Sequence, residues 1–195
     1  MTTHFEKHEH LKIKFAVSGA ADTTGQGEEA LHAARELGRE IVRHGAILIT
    51  GATTGFPLWS AIGAKEEKGI SVGISPATSE KEHVSMYKLP LDYMDFIIYT
   101  GAGYPGRDLL LTRTSDAIFV GCGRIGTFHE FTIAFEDKKP IGVLEGPWGT
   151  DELIREMIKE SGRAGDNPYI VFDSDPKRLV EKVLDIVYSL KAAGE

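Results

Sequence analysis

Four turns of small residues, Gly19 to Ala21, Gly51 to Gly55, Gly101 to Gly106 and Gly121 to Gly126, each follow a short apolar run and lead into a helix-like stretch. A strand that ends in such a turn and feeds a helix is half of a βαβ unit. Right-handed crossovers and buried central strands then leave little but a parallel sheet with helices on both faces. The alternation predicts strands at Lys12–Ser18, Ala46–Thr50, Ile70–Ser75, Asp95–Thr100, Asp116–Val120, Pro140–Leu144 and Tyr169–Phe172. It predicts helices over 26–44, 57–68, 107–115, 127–137 and 151–160, and a closing helix that starts at Asp175 and Pro176 and runs to Lys191. In the first helix Ala30, Ala33, Leu37, Ile41 and Val42 form the apolar stripe, and Gly45 ends it. Residues 76–94 show no clean period and read as a long surface loop with room for a short helix. The fold class is therefore α/β, a doubly wound parallel sheet of about seven strands.

In 195 residues, 42% of them hydrophobic, a single domain over residues 12–195 has enough apolar material for its core. Residues 1–11 are polar and read as a flexible N-terminal arm. His4, His8 and His10 offer imidazoles there without a carboxylate or thiolate set beside them, so no metal site is expected. A net charge of −7 and a pI near 5.5 argue against nucleic acid and anionic membrane as partners. No apolar run reaches the ~18 residues of a membrane span. A lone cysteine, Cys122, and the lack of an apolar signal core point to the reducing cytoplasm.

The stretch Val120 to Phe131 joins the end of an apolar strand, a glycine turn and a helix start bearing a carboxylate. In an open α/β sheet the ligand crevice lies outside the carboxyl ends of the strands, and free N–H groups of a helix start make it a place for an anion. Glu130 has two readings. With Thr127 it completes a capping box, and at a helix start it is also placed to stabilise a sugar cation or orient water. Arg107, opening a helix after a glycine turn, projects over the strand ends or stands as a solvated surface residue, while Arg113 reads as structural. Thr53 and Thr54 either donate hydrogen bonds to a phosphate or shape their turn. His129 reads as a packing or surface residue, Cys122 as a small inert one, and Trp148 as a lid or an aromatic anchor.

Gly126-Thr127-Phe128-His129-Glu130 resembles the end of the PGGxGTxxE signature of the LOG family, the phosphoribohydrolases long mislabelled as lysine decarboxylases. Arg107 stands where that family carries its catalytic arginine. Val17-Ser18-Gly19-Ala20 looks like its first nucleotide-binding turn, and Thr50 to Gly55 like its second glycine loop. The resemblance implies a Rossmann-like, nucleotide-binding homodimer or higher homo-oligomer with no cofactor. It would cleave the N-glycosidic bond of a nucleoside 5′-monophosphate to free base and ribose 5-phosphate. By the same resemblance Arg107 and Glu130 are the catalytic candidates, and Ser18, Gly19, Ala20, Thr53, Thr54, Gly55, Gly123, Arg124, Gly126 and Thr127 bind substrate. The wider superfamily also contains a molybdenum cofactor carrier protein, so a non-catalytic carrier is the alternative. Where the signature has Pro-Gly-Gly this chain has Cys122-Gly123-Arg124, and Arg124 either adds a phosphate contact or fills the pocket.

Overall fold

The computed structural model describes residues 11–25 and 27–194. His4, His8 and His10 of the expected arm therefore lie outside the described residues. Seven parallel strands form one sheet: β1 (Lys14–Ser18), β2 (Ile47–Thr50), β3 (Ser71–Ser75), β4 (Phe96–Tyr99), β5 (Ala117–Val120), β6 (Ile141–Leu144) and β7 (Ile170–Asp173). Their order is β4-β3-β2-β1-β5-β6-β7. The chain winds outward from β1 to one edge, crosses back to β5 beside β1, and winds to the other edge. The winding therefore reverses between β1 and β5, in the register Ser18 opposite Val120.

Side chains alternate between two apolar layers. Phe15, Val17, Leu48 and Phe119 face α1 (Gly27–Arg43), α2 (Phe56–Glu66) and α7 (Pro176–Ala193). Ala16, Ile49, Ile118 and Val120 face α4 (Gly103–Thr114), α5 (Ile125–Glu136) and α6 (Thr150–Glu160). The expected stripe of α1 holds: Ala30, Leu37 and Ile41 are buried, with Ala33 and Val42 packed against them. Helices α1 and α2 lie so close that a Cβ at Gly38 would stand 1.9 Å from the Ser60 carbonyl oxygen, and one at Gly63 equally near that of Arg35. Backbone cannot yield as a side-chain tip can. Gly38→Ala is expected to cost about 2–3 kcal/mol in urea unfolding, as overpacked cores do.

Two helix starts differ from the expectation, and both bear on the site. Helix α4 begins at Gly103 rather than Arg107, because Pro105 falls in its first turn, where no N–H is required. Arg107 consequently sits inside the helix and is buried. Helix α5 begins at Ile125, with Arg124 as its N-cap, so Thr127 and Glu130 stand past the capping positions and form no capping box. In the 76–94 loop the short helix α3 (Glu80–Ser85) is capped by Ser79, whose hydroxyl accepts from the Glu82 N–H. Buried His83 pins this loop, its ring nitrogens 2.8 Å from Ser75 Oγ and 2.9 Å from the Pro90 carbonyl oxygen. Arg113 is structural, its Nε donating to Asp137 at 2.9 Å.

Candidate functional site

Beyond the ends of β1 and β5 the two loops stay tied. The Gly121 N–H donates to the Ser18 carbonyl, and the Ala20 N–H to that of Cys122 at 2.7 Å. Behind them lies the ring of Phe56, the first residue of α2. A Cβ at Gly19 would meet it at 2.6 Å and one at Gly121 at 2.0 Å, so these glycines make room for an aromatic plug. In front of them opens a cleft of about 310 Å3, near the lower end of small-molecule pockets.

One wall of the cleft is the start of α5. Its N-cap residue makes no side-chain cap, which leaves first-turn N–H groups free where Gly126 and Thr127 line the cleft. Glu130, one turn further, faces the same space. It is buried and accepts a hydrogen bond from the Ser18 hydroxyl. Burial pushes its carboxyl up to about 8; the charge of Arg107 opposes this, the nearby Asp108 carboxyl adds to it, and the Ser18 bond lowers it. Burial is the largest of these influences, so the group holds its proton to a higher pH than an ordinary carboxyl does.

Arg107 comes from α4 on the opposite wall. Its Nη1 stops 4.0 Å from Glu130 Oε1, and its Nε is 3.2 Å from Asp108 Oδ1 but off the line of a hydrogen bond. That buried Nε has no hydrogen-bond partner among the described residues. The guanidinium carbon lies 5.7 Å from the centre of the Tyr104 ring. Only a glycine at position 51 admits this placement, since a Cβ there would fall 1.4 Å from Nη1.

Of the residues expected at the site, Gly19, Ala20, Thr53, Arg107, Arg124, Gly126, Thr127 and Glu130 line the cleft, and Ser18 holds Glu130. Thr54, Gly55 and Gly123 are not among its lining residues. The Thr54 hydroxyl donates to the Ala21 carbonyl, Gly55 lets the backbone pass close under Ala20, and the Gly123 N–H donates to Thr150 Oγ1. Arg124 does not fill the cleft. Its side chain is 63% exposed and its Nη1 pairs with Asp22 Oδ2 at 3.1 Å across the rim.

Asp108, Asp22, Pro57 and Tyr104 line the cleft and were not expected there. Asp108 follows Arg107 directly, and consecutive helical residues do not normally share a face, so spacing gave no hint. It accepts from His129 Nδ1 at 2.9 Å, which makes His129 a half-exposed partner of the site's carboxylate. Cys122 is buried, and burial pushes its thiol up, away from a nucleophile's range. Trp148 is an anchor, edge-on to Phe56 with ring centres 6.4 Å apart. Among the described residues no group of His, Cys, Asp and Glu side chains has the arrangement of a metal site. No described helix is long and apolar enough to cross a membrane.

Comparison with known proteins agrees with this architecture. An uncharacterized protein of Archaeoglobus fulgidus is 32% identical over 135 residues, 69% of this chain and 82% of that one. The molybdenum cofactor binding protein of the phototrophic bacterium Rippkaea orientalis superposes with a TM-score of 0.71 at 25% identity, over 93% of this chain and 98% of its own. The molybdenum cofactor carrier protein of Chlamydomonas reinhardtii does so with a TM-score of 0.68 at 30% identity, over 93% and 99%. The model of the SLOG cluster4 family matches residues 12–179. That match runs from just before β1 into α7, across the whole sheet and both walls of the cleft, and the chain belongs to the SLOG cluster4 family.

Proposed function

We propose that the protein binds a phosphorylated, nucleotide-like small molecule in the cleft at the β1–β5 reversal. The observation that carries this is the state of Arg107. It is a buried cation with an unpartnered Nε, beside a Glu130 carboxyl that burial pushes toward its uncharged form and an Asp108 that also serves His129. A buried cation so incompletely paired calls for an anion. The free N–H groups at the start of α5 favour the same charge on the facing wall.

The first reading of the ligand is molybdenum cofactor, an organic phosphate held as cargo, and it is supported by the two relatives whose names state that binding. In this reading Glu130 and Arg107 grip without catalysing. The second reading is hydrolysis of a nucleoside 5′-monophosphate, and Glu130 favours it. A buried carboxyl pushed toward its protonated form beside a guanidinium is suited to give its proton to the base as the C1′–N bond breaks and water adds at C1′, while the cation steadies negative charge on the departing base.

Mass spectrometry of ligand carried through purification, together with ribose 5-phosphate release from a panel of nucleoside monophosphates, separates the two. A bound pterin with no release is the expected result. Turnover of any monophosphate would replace carriage by hydrolysis. Equal melting temperatures with and without every ligand tried would count against binding itself, because a ligand of the native state must stabilise it.

A homodimer or higher homo-oligomer in the cytoplasm belongs to the same proposal. It is supported by Phe96 and Ile98, large apolar side chains exposed on the edge strand β4, and by the single cysteine. Light scattering that gives a monomer mass at micromolar concentration would remove the oligomer.

A further inference from the structure

Arg124 and Asp22 stand 102 residues apart in sequence and meet at the mouth of the cleft, which both line. Their contact ties the loop between β1 and α1 to the start of α5. The two partners are held unequally. Asp22 is fixed by its own turn, where Oδ1 accepts from the Thr24 N–H at 2.9 Å, and these Thr24 hydrogen bonds hold its carboxyl below the usual range. The Arg124 guanidinium has no hydrogen-bond or ion-pair partner other than Asp22 among the described residues.

We infer that Arg124 is the residue that selects phosphorylated ligands, and that Asp22 is a built-in competitor which parks its guanidinium at the rim until a phosphate takes it. The inference rests on the ligand reading above and adds to it the means of discrimination. An exposed ion pair such as this is weak, and water competes for both partners. A phosphate dianion accepts two parallel hydrogen bonds from a guanidinium and carries more charge than a carboxylate. Arg124 caps α5, so turning the side chain inward brings it beside the free first-turn N–H groups where an anion is expected. Exchange therefore needs a rotation of one side chain and no movement of the helix. A ligand without phosphate leaves the pair intact and gains nothing from Arg124. The loop that loses its tie on exchange contains Gly25 at positive φ and runs into α1 at Gly27, also at positive φ.

The test compares ribose 5-phosphate with ribose by isothermal titration against the wild type, Arg124→Ala, Asp22→Asn and the double variant. Both positions are exposed, and circular dichroism checks that each variant is folded. Arg124→Ala is expected to weaken ribose 5-phosphate about ten- to a hundredfold, as lost charge-assisted hydrogen bonds do, and to leave ribose unchanged. Asp22→Asn is expected to tighten ribose 5-phosphate by about two- to fivefold, a gain that shrinks when Arg124 is absent. Ribose 5-phosphate binding that ignores Arg124→Ala overturns the inference and leaves the ligand reading standing. A gain from Asp22→Asn that persists undiminished without Arg124 overturns the competitor role. A wild type that binds no ribose 5-phosphate overturns the inference together with the reading beneath it.

Discussion

Glu130→Gln is expected to stabilise the ligand-free protein at pH 9 by an amount of the order of a few kcal/mol and to change it little below pH 5. The carboxyl is pushed up to about 8 in the folded protein, from an ordinary value of 4.5, chiefly by burial. A group raised on folding contributes its full stability below the ordinary value and loses it as pH climbs through the folded value. Between those limits the unfolded chain has already released the proton that the folded one keeps. Above them the folded protein holds a buried charge that, among the described residues, Arg107 and the Ser18 hydroxyl offset. Glutamine keeps the shape and the acceptor for Ser18 and never ionises. Urea unfolding at pH 5, 7 and 9 should therefore give a wild-type stability that falls with pH beside a flatter variant. Parallel curves would mean that Glu130 is ionised in the native protein at neutral pH, and the charge argument for an anionic ligand would fail with it.

The second large effect concerns Arg107. Arg107→Met is expected to destabilise the protein by about 3–5 kcal/mol, because it removes one partner of a buried charge cluster and leaves Asp108 without its cation. It should also abolish binding of phosphorylated ligands. A loss of both stability and binding is hard to interpret alone, and Gly51→Ala separates them. The new Cβ would occupy the place of Nη1, so the guanidinium must move, yet it is the far end of a flexible side chain and can move cheaply. The backbone at position 51 is not at positive φ. The expected result is a fall in ligand affinity of about tenfold or more, with a melting temperature close to the wild type. Wild-type affinity in Gly51→Ala would show that the position of Arg107 is immaterial.

The sheet was legible because its signals are local. Each strand is a short, largely apolar run, and the crossovers after β1, β2, β4, β5 and β6 are marked by glycine at or just past the strand's end. The starts of α4 and α5 were misread by the same logic. Gly103 and Pro105 look like breaks but form a first turn, and the spacing of Thr127 and Glu130 matches a cap that the helix does not use. At the site, the residue types Arg107 and Glu130 could be read, and their relation could not. Burial of both side chains and the involvement of Asp108 and His129 depend on how α4 lies against α5, which no spacing along one chain reports. The glycines teach the same lesson. Gly19, Gly51 and Gly121 announce that space is needed, but the occupants, Phe56 and Arg107, come from other elements.

The plug formed by Phe56 also sets a dimension. Because the ring stands behind Gly19 and Gly121 with Trp148 edge-on to it, the space behind the two tied loops is filled from the α2 side. A ligand can lie across the ends of β1 and β5 but cannot sink between them. The reach of the cleft toward the interior is thus decided by one aromatic side chain that carries no charge and makes no polar contact. With a smaller residue there the cleft would reach further inward while the side chains at its mouth stayed in place, so the depth of the cleft and the charge at its mouth can change independently in this fold.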